Sequence, residues 1–225
     1  MNVKLTPRLK AVAEYVRPGG KITDVGTDHG YLICYLVGNG ICTGGVAGDV
    51  RPGPLEQARQ SVAACGLERK IQLRLSDGLR AVEPEEADDI VIAGMGGELI
   101  CEILSAVQWV RDEKKHFVFQ PMTHPEMLRS FLCENGFVIN RECVVREGKR
   151  VYCVMDVSYD GCCRKPGGPY LYLGEIKELG HPDVREYLLH MIHYLSNKLL
   201  GEETSEIRDA VKELKKIYDN GKEHL

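Results

Sequence analysis

The sequence predicts an α/β protein. It is an open sheet of parallel strands wound by helices on both sides, finished by an antiparallel β-hairpin and followed by a C-terminal α-helical hairpin. Three observations carry this. First, short β-branched runs end on an acid or a glycine turn and then give way to helical apolar spacing, and this rhythm repeats through residues 21–135. Second, Phe137 to Arg146 and Arg150 to Tyr159 are two strand-like runs with only a short polar turn between them. Third, two apolar stripes at helical spacing, Val184 to Leu199 and Ile207 to Tyr218, flank the break at Gly201.

The elements follow in order. Thr6-Pro7 starts a helix, with Thr as N-cap and Pro at the first helical position; Leu9, Val12, Ala13 and Val16 mark its apolar side, and Pro18-Gly19-Gly20 stops it. The first strand, Lys21 to Val25, turns at Gly26–Gly30 into a helix around Tyr31 to Val37. The second strand, Gly44 to Gly48, closes on Asp49, and Pro52-Gly53-Pro54 opens the next helix. The third strand, Ile71 to Leu75, closes on Ser76-Asp77-Gly78. The fourth, Asp89 to Ala93, closes on Gly94-Met95-Gly96-Gly97, with a helix from Glu98 to Val107. The fifth, His116 to Phe119, closes on Gln120-Pro121, and His124-Pro125 opens a helix that ends at Asn135-Gly136. Five βα units and a terminal hairpin is the element order of class I methyltransferases, a Rossmann-like sheet. Residues 1–160 are read as that domain and 161–225 as a coiled-coil-like helical domain, with a Gly-, Cys- and Pro-rich linker at Gly161 to Pro169.

Composition narrows the classes. A net charge of -4 does not announce a nucleic-acid binder, although a local basic face suffices for one. No run spans a bilayer and the N-terminus lacks a signal-peptide core, so a cytoplasmic protein without membrane contact is expected. The 9 cysteines are scattered and none has CxxC spacing, which argues for buried reduced thiols and against a structural metal; Cys162-Cys163 falls in the linker.

The strand ends Asp24, Asp49, Asp77 and Gly94 share one sheet edge in such a fold and surround one crevice. One acid at a strand end is commonly a cap or turn former. The aligned set has a job for each member if the ligand is S-adenosyl-L-methionine. Asp24, Gly26 and Asp28, with Gly30 completing the turn, lie beside the amino-acid moiety, and Asp49 accepts the ribose hydroxyls. Ser76, Asp77 and Gly78 flank the adenine, and Ala93, Gly94, Met95 and Gly96 wall the reactive methyl. The turn is not GxGxxG, and Asp28 would repel a pyrophosphate, which disfavours a dinucleotide.

Asp24-Val25-Gly26-Thr27-Asp28-His29-Gly30-Tyr31-Leu32, Ala47-Gly48-Asp49-Val50, Leu75-Ser76-Asp77-Gly78-Leu79, Ile92-Ala93-Gly94-Met95-Gly96-Gly97 and Phe119-Gln120-Pro121 resemble the bacterial tRNA (adenine-N1)-methyltransferases of the TrmK type. The resemblance runs over nearly the whole chain. It implies methyl transfer from S-adenosyl-L-methionine to N1 of adenine 22 of tRNA, and a C-terminal helical domain that helps to hold the tRNA. Gly30, Ile33, Asp49 and Met122 depart from the residues the family pattern leads one to expect, and Met122 removes a polar side chain after Gln120-Pro121.

N1 of neutral adenine carries its own lone pair, so alignment matters more than a base, and the base must leave any pairing to react. Tyr31 and His29 are the catalytic candidates, Tyr31 to stack the adenine and His29 to orient the base or the cofactor. Gln120 and Arg8 are the substrate-binding candidates. Arg8, Lys10 and Arg17, then Arg146, Lys149 and Arg150, then Arg164-Lys165, and last Lys212, Lys215 and Lys216 are the basic clusters available to tRNA, or simply solvated faces. A monomer is expected. Two other readings remain: a small-molecule methyltransferase, and a non-catalytic RNA-binding protein that keeps the cofactor fold.

Overall fold

The computed structural model describes residues 3–201 and 204–220. The chain runs α1 (Pro7–Ala13), β1 (Lys21–Val25), α2 (Tyr31–Gly38), β2 (Gly44–Asp49), α3 (Pro52–Ala64), β3 (Ile71–Leu75), β4 (Asp89–Gly96), α4 (Gly97–Ser105), β5 (His116–Thr123) and α5 (Pro125–Glu134). The hairpin β6 (Phe137–Glu147) and β7 (Arg150–Tyr159) follows, then a single turn α6 (Tyr170–Leu173) and the long helices α7 (Pro182–Gly201) and α8 (Ser205–Asn220). The sheet has 7 strands in the order β3-β2-β1-β4-β5-β7-β6. β1 to β5 are parallel, and β7 inserts antiparallel between β5 and β6. This is the expected Rossmann-like methyltransferase sheet, and its topology reverses direction beside β1, where such sheets bind ligands.

Several boundaries differ from the sequence reading, three of them instructively. β4 continues past Ala93 to Gly96, and β5 past Phe119 to Thr123, because Met95 and Gly96 keep pairing with Pro121 and Thr123 across a bulge. α1 ends at Ala13 rather than reaching Val16, although Val16 is buried. The one-turn α6 past the linker has too few residues to show a period.

Both sheet faces are covered, which explains why the central strands read as unbroken apolar runs. Ile90, Ile92, Phe117, Phe119, Met155 and Val157 point to one face, and Val91, Val118 and Val154 to the other. The C-terminal helices join the first of these cores. Val184, Leu188, Ile192 and Leu195 of α7 lie with the sheet residues, and Ala210, Val211 and Leu214 of α8 pack on α7. Leu188, Leu195 and Leu214 are fully buried, each contributing roughly 1.5–3 kcal/mol. The two stripes therefore face each other and the sheet.

A buried ion pair fastens the helical hairpin. Arg129 of α5 donates through Nε and Nη2 to Glu142 Oε1 of β6 at 3.0 and 2.9 Å. It also donates to Leu171 O at 2.9 Å and to Tyr187 Oη of α7 at 3.1 Å. Glu142 Oε2 accepts the Glu175 backbone N–H at 2.6 Å. Both side chains are fully buried. At the opposite edge of the sheet from the carboxyl ends of the parallel strands, His116 lies between two acids, with Nε2 2.9 Å from Asp156 Oδ1 and Nδ1 3.0 Å from Asp89 Oδ1.

Several candidate tRNA cations are engaged within the chain. Arg17 pairs with Asp89, Arg146 with Asp183 and Glu186, and Arg164 with Asp160. Lys10, Lys149, Lys212, Lys215 and Lys216 are exposed. Among the described residues, no helix is long and apolar enough to cross a membrane. Burial pushes the thiols of Cys42 and Cys153 up to about 12, so they behave as small apolar groups.

Candidate active site

The carboxyl ends of β1, β2 and β4 are brought level by the register, in which Asp24 lies beside Ala47 and Val91, and Val25 beside Gly48 and Ile92. A cavity of about 500 Å³ opens there. β1 and its turn contribute Asp24, Gly26, Asp28, His29 and Tyr31; β2 contributes Asp49. The turn after β3 contributes Ser76, Asp77 and Gly78, the end of β4 contributes Ala93, Gly94 and Met95, and α1 contributes Arg8.

The turn after β1 is bent by two bonds, from the Gly26 and Thr27 N–H groups to Gly48 O at 2.8 and 2.9 Å. Gly26 has φ +71°, and a Cβ there would meet Met95 Cε at 2.1 Å. Glycine is thus favoured by the left-handed conformation, and a larger residue would also have to push aside the flexible end of Met95. Asp28 takes a left-handed φ of 50° without being glycine, a costly conformation that concentrates at ligand sites.

Asp24 is buried and accepts the Thr27 hydroxyl at 2.6 Å. Burial raises its carboxyl to about 6; the Thr27 bond pulls the other way and Asp49 adds to the rise. Asp49 is also buried and accepts the Arg51 N–H at 2.9 Å. Two acids thus converge on a cavity where Arg51 Nε lies 3.8 Å from Asp49, and among the described residues no cation pairs with Asp24. Such a pair suits a ligand that brings a positive group. Ser76 is committed to its own turn, donating to Gly78 O at 2.8 Å, while the Asp77 carboxylate is exposed beside Arg80.

On the outer side, the His29 and Tyr31 rings are stacked, centroids 5.2 Å apart and 10° from parallel. Tyr31 is 42% exposed at the mouth of the cavity.

Three predicted residues lie off the cavity wall. Gly30 caps α2 at φ +70°, where a Cβ would crowd Ala58 Cβ at 3.1 Å, so its role is helix packing. Gly96 caps α4 and lies against Thr123. Gln120 is fully buried and accepts from Arg8 Nη1 at 2.7 Å and from the Gly94 N–H at 3.1 Å, while its Nε2 donates to Pro121 O at 2.9 Å. With its amide spent this way, it supports the wall from behind and holds Arg8.

Other lining residues escaped the sequence reading. Val50, Leu99 and Ile103 give the cavity apolar walls, and Thr27 holds Asp24. Val50 is 60% exposed directly after the buried Asp49.

A family model described as a methyltransferase domain matches residues 5–155. The tRNA (adenine(22)-N(1))-methyltransferase of Bacillus subtilis strain 168 is 33% identical over 98% of this chain and 99% of its own. This chain belongs to the tRNA (adenine(22)-N1)-methyltransferase family. A Streptococcus pneumoniae structure in complex with S-adenosyl-L-methionine superposes with a TM-score of 0.84 at 30% identity, covering 96% of this chain and 100% of that one. The crystal structure of the B. subtilis m1A22 tRNA methyltransferase TrmK superposes with a TM-score of 0.76 at 28% identity, covering 99% of each chain.

Proposed function

We propose that this chain transfers a methyl group from S-adenosyl-L-methionine to N1 of adenine 22 in tRNA. The observation that carries the reading is the buried acid pair Asp24 and Asp49 at the glycine turn, in a chain that aligns end to end with an enzyme of that name. The pocket fits the cofactor. Asp24 and the Gly26 turn would hold its amino-acid end, Asp49 would accept its ribose hydroxyls, and Val50 and Leu99 would cover the faces of its adenine, with Asp77 toward the amino group; all of these residues line the cavity. Asp28 leaves no room for a pyrophosphate's charge. When bound, the cofactor supplies an activated sulfonium methyl.

The chain's own residues then have three tasks. The Ala93–Met95 wall and the bulge at Gly94 leave space for an acceptor at the methyl end. Tyr31, backed by His29, stacks the extruded adenine and fixes N1 in line with the donor. Holding two reactants in attack geometry supplies about 7 kcal/mol or more of barrier lowering. No proton has to be removed from N1. The product ring is cationic, and Asp28 and the Tyr31 face stabilise the charge as it develops. Residues 161–225 hold the tRNA through exposed lysines such as Lys212, Lys215 and Lys216. We further propose that the enzyme acts as a monomer and, having tRNA as its substrate, works in the cytoplasm.

The test is methyl incorporation. With labelled cofactor and unmodified tRNA, nuclease digestion and mass spectrometry should place one methyl on N1 of adenine 22. No incorporation across a panel of tRNAs with adenine at that position would overturn the reading. Tyr31→Ala should keep cofactor affinity and lose turnover; normal turnover would remove Tyr31 from the mechanism.

A further inference from the structure

A second cleft, of about 330 Å³, lies beside the first. Its floor is the end of β5, Pro121 to Thr123, and the start of β7 at Tyr152; its far wall is α7, through Tyr187, His190, Met191 and Tyr194. The two clefts share a partition. Arg8 lines the first cavity, is held by Gln120, and lies over the Tyr152 ring at 5.9 Å. Tyr152 lines the second.

The lip of this cleft is unusual. Met122 and Tyr194 both line it and are 38% and 37% exposed, so two apolar side chains are open to solvent at one cleft. His124 adopts φ 52°, ψ 48°, the only non-glycine besides Asp28 with positive φ among the described residues. Asp28 belongs to the cofactor turn. Backbone strain of this kind persists where surrounding structure holds a residue for use. His124 Nδ1 is 3.2 Å from Glu126 Oε1, and Tyr194 Oη donates to the same oxygen at 3.3 Å.

We propose that this cleft receives a nucleobase flanking the target adenine on the same RNA strand. The inference rests on the tRNA reading above. Extruding one base strips its neighbour of a stacking partner. Tyr194, Tyr152 and the thioethers of Met122 and Met191 offer flat and polarisable surfaces to replace it. Charge selects a base over a phosphate: Glu126 is the acid at the cleft and would repel an anion, whereas its carboxylate and the His124 and His190 rings can bond base edges. The departure at Met122 fits as well, because an apolar side chain there serves stacking in this cleft.

The experiment is a cycle between protein and RNA. Wild-type enzyme is assayed on intact tRNA transcript and on transcripts abasic at each nucleotide flanking the target. One abasic transcript should raise KM about tenfold, the loss expected of a base stack, with kcat unchanged. Tyr194→Ala should raise KM by the same factor on intact tRNA and add nothing on that abasic transcript. Tyr194→Phe, which keeps the ring, should match wild type. S-adenosylhomocysteine affinity should be equal in all three proteins. Independent, multiplying effects of variant and abasic site, or an unchanged KM for Tyr194→Ala, would overturn the cleft assignment alone. Absence of wild-type turnover on intact tRNA would overturn the tRNA reading and this inference with it.

Discussion

Replacing Asp24 by Asn should stabilise the free protein and destroy its cofactor binding. Asp24 is buried at 4% exposure, with Thr27 as its hydrogen-bond donor, and its carboxyl lies near 6 against an ordinary 3.8. At about 1.4 kcal/mol per pH unit, that gap costs the ionised folded state roughly 3 kcal/mol at neutral pH. The sign follows from proton counts. Between about 4 and 6 the folded chain holds a proton that the unfolded chain has released, so stability falls as pH rises through this window and stays low above it. Asn keeps an oxygen for the Thr27 hydroxyl and carries no charge, so the urea unfolding free energy at pH 7.5 should rise by ~1–3 kcal/mol with an unchanged m-value. The ligand side runs oppositely. If the ammonium binds only the carboxylate, the Kd for S-adenosylhomocysteine should increase about tenfold from pH 7 to pH 5. Calorimetric titration across that range reads it directly. A flat pH profile, or an Asp24→Asn protein that binds normally, would refute the argument that this acid exists for the cofactor's cation.

Three further outcomes follow from the same structure. Gly26→Ala should lower cofactor affinity at least tenfold in the same titration, because its Cβ collides with Met95 Cε and φ +71° is strained for alanine; adding Met95→Ala should recover only part, and full recovery would show that the backbone conformation is immaterial. Glu142→Gln leaves Arg129 charged and buried and should cost about 3–5 kcal/mol in urea unfolding, whereas Arg129→Met with Glu142→Leu should recover most of it; a loss under 1 kcal/mol for the single variant would show the pair to be incidental. His116 is pulled down by burial but raised overall by Asp156 and Asp89, so its stabilisation is complete below 6.5 and is lost as pH rises through the raised value. Asp156, opposed by burial but held near 2 by bonds from His116, Asn140 and Arg141, loses its contribution only as pH falls through about 2. Thermal unfolding from pH 6 to 9 should therefore decline in wild type and flatten in His116→Gln, and equal slopes would remove His116 as the cause.

What was legible in the sequence was periodic or terminal. Strand ends announce themselves because a β-branched run must stop where an acid or glycine turns the chain, and parallel connection then aligns those ends without further information. Asp24, Asp49 and the Gly94 turn were found this way. What was not legible depends on contacts between distant residues. Gln120 reads as a polar group at a strand end, facing a substrate. Only the approach of Arg8 and the Gly94 N–H, from α1 and β4, converts it into a buried support. Two of the basic clusters fail for the same reason: Arg17 and Arg146 look available until Asp89 and Asp183 arrive from elsewhere, whereas Arg164 is taken by Asp160 only four residues away. An arginine already satisfied by a carboxylate contributes little to phosphate affinity, since both it and the acid would have to be freed. Lys10, Lys149 and Lys212, with the exposed Arg150, are therefore better candidates for tRNA contact than Arg17, Arg146 and Arg164, which serve the fold. Neutralising those lysines should weaken tRNA affinity and its salt dependence together, whereas neutralising Arg146 should loosen the helical hairpin first.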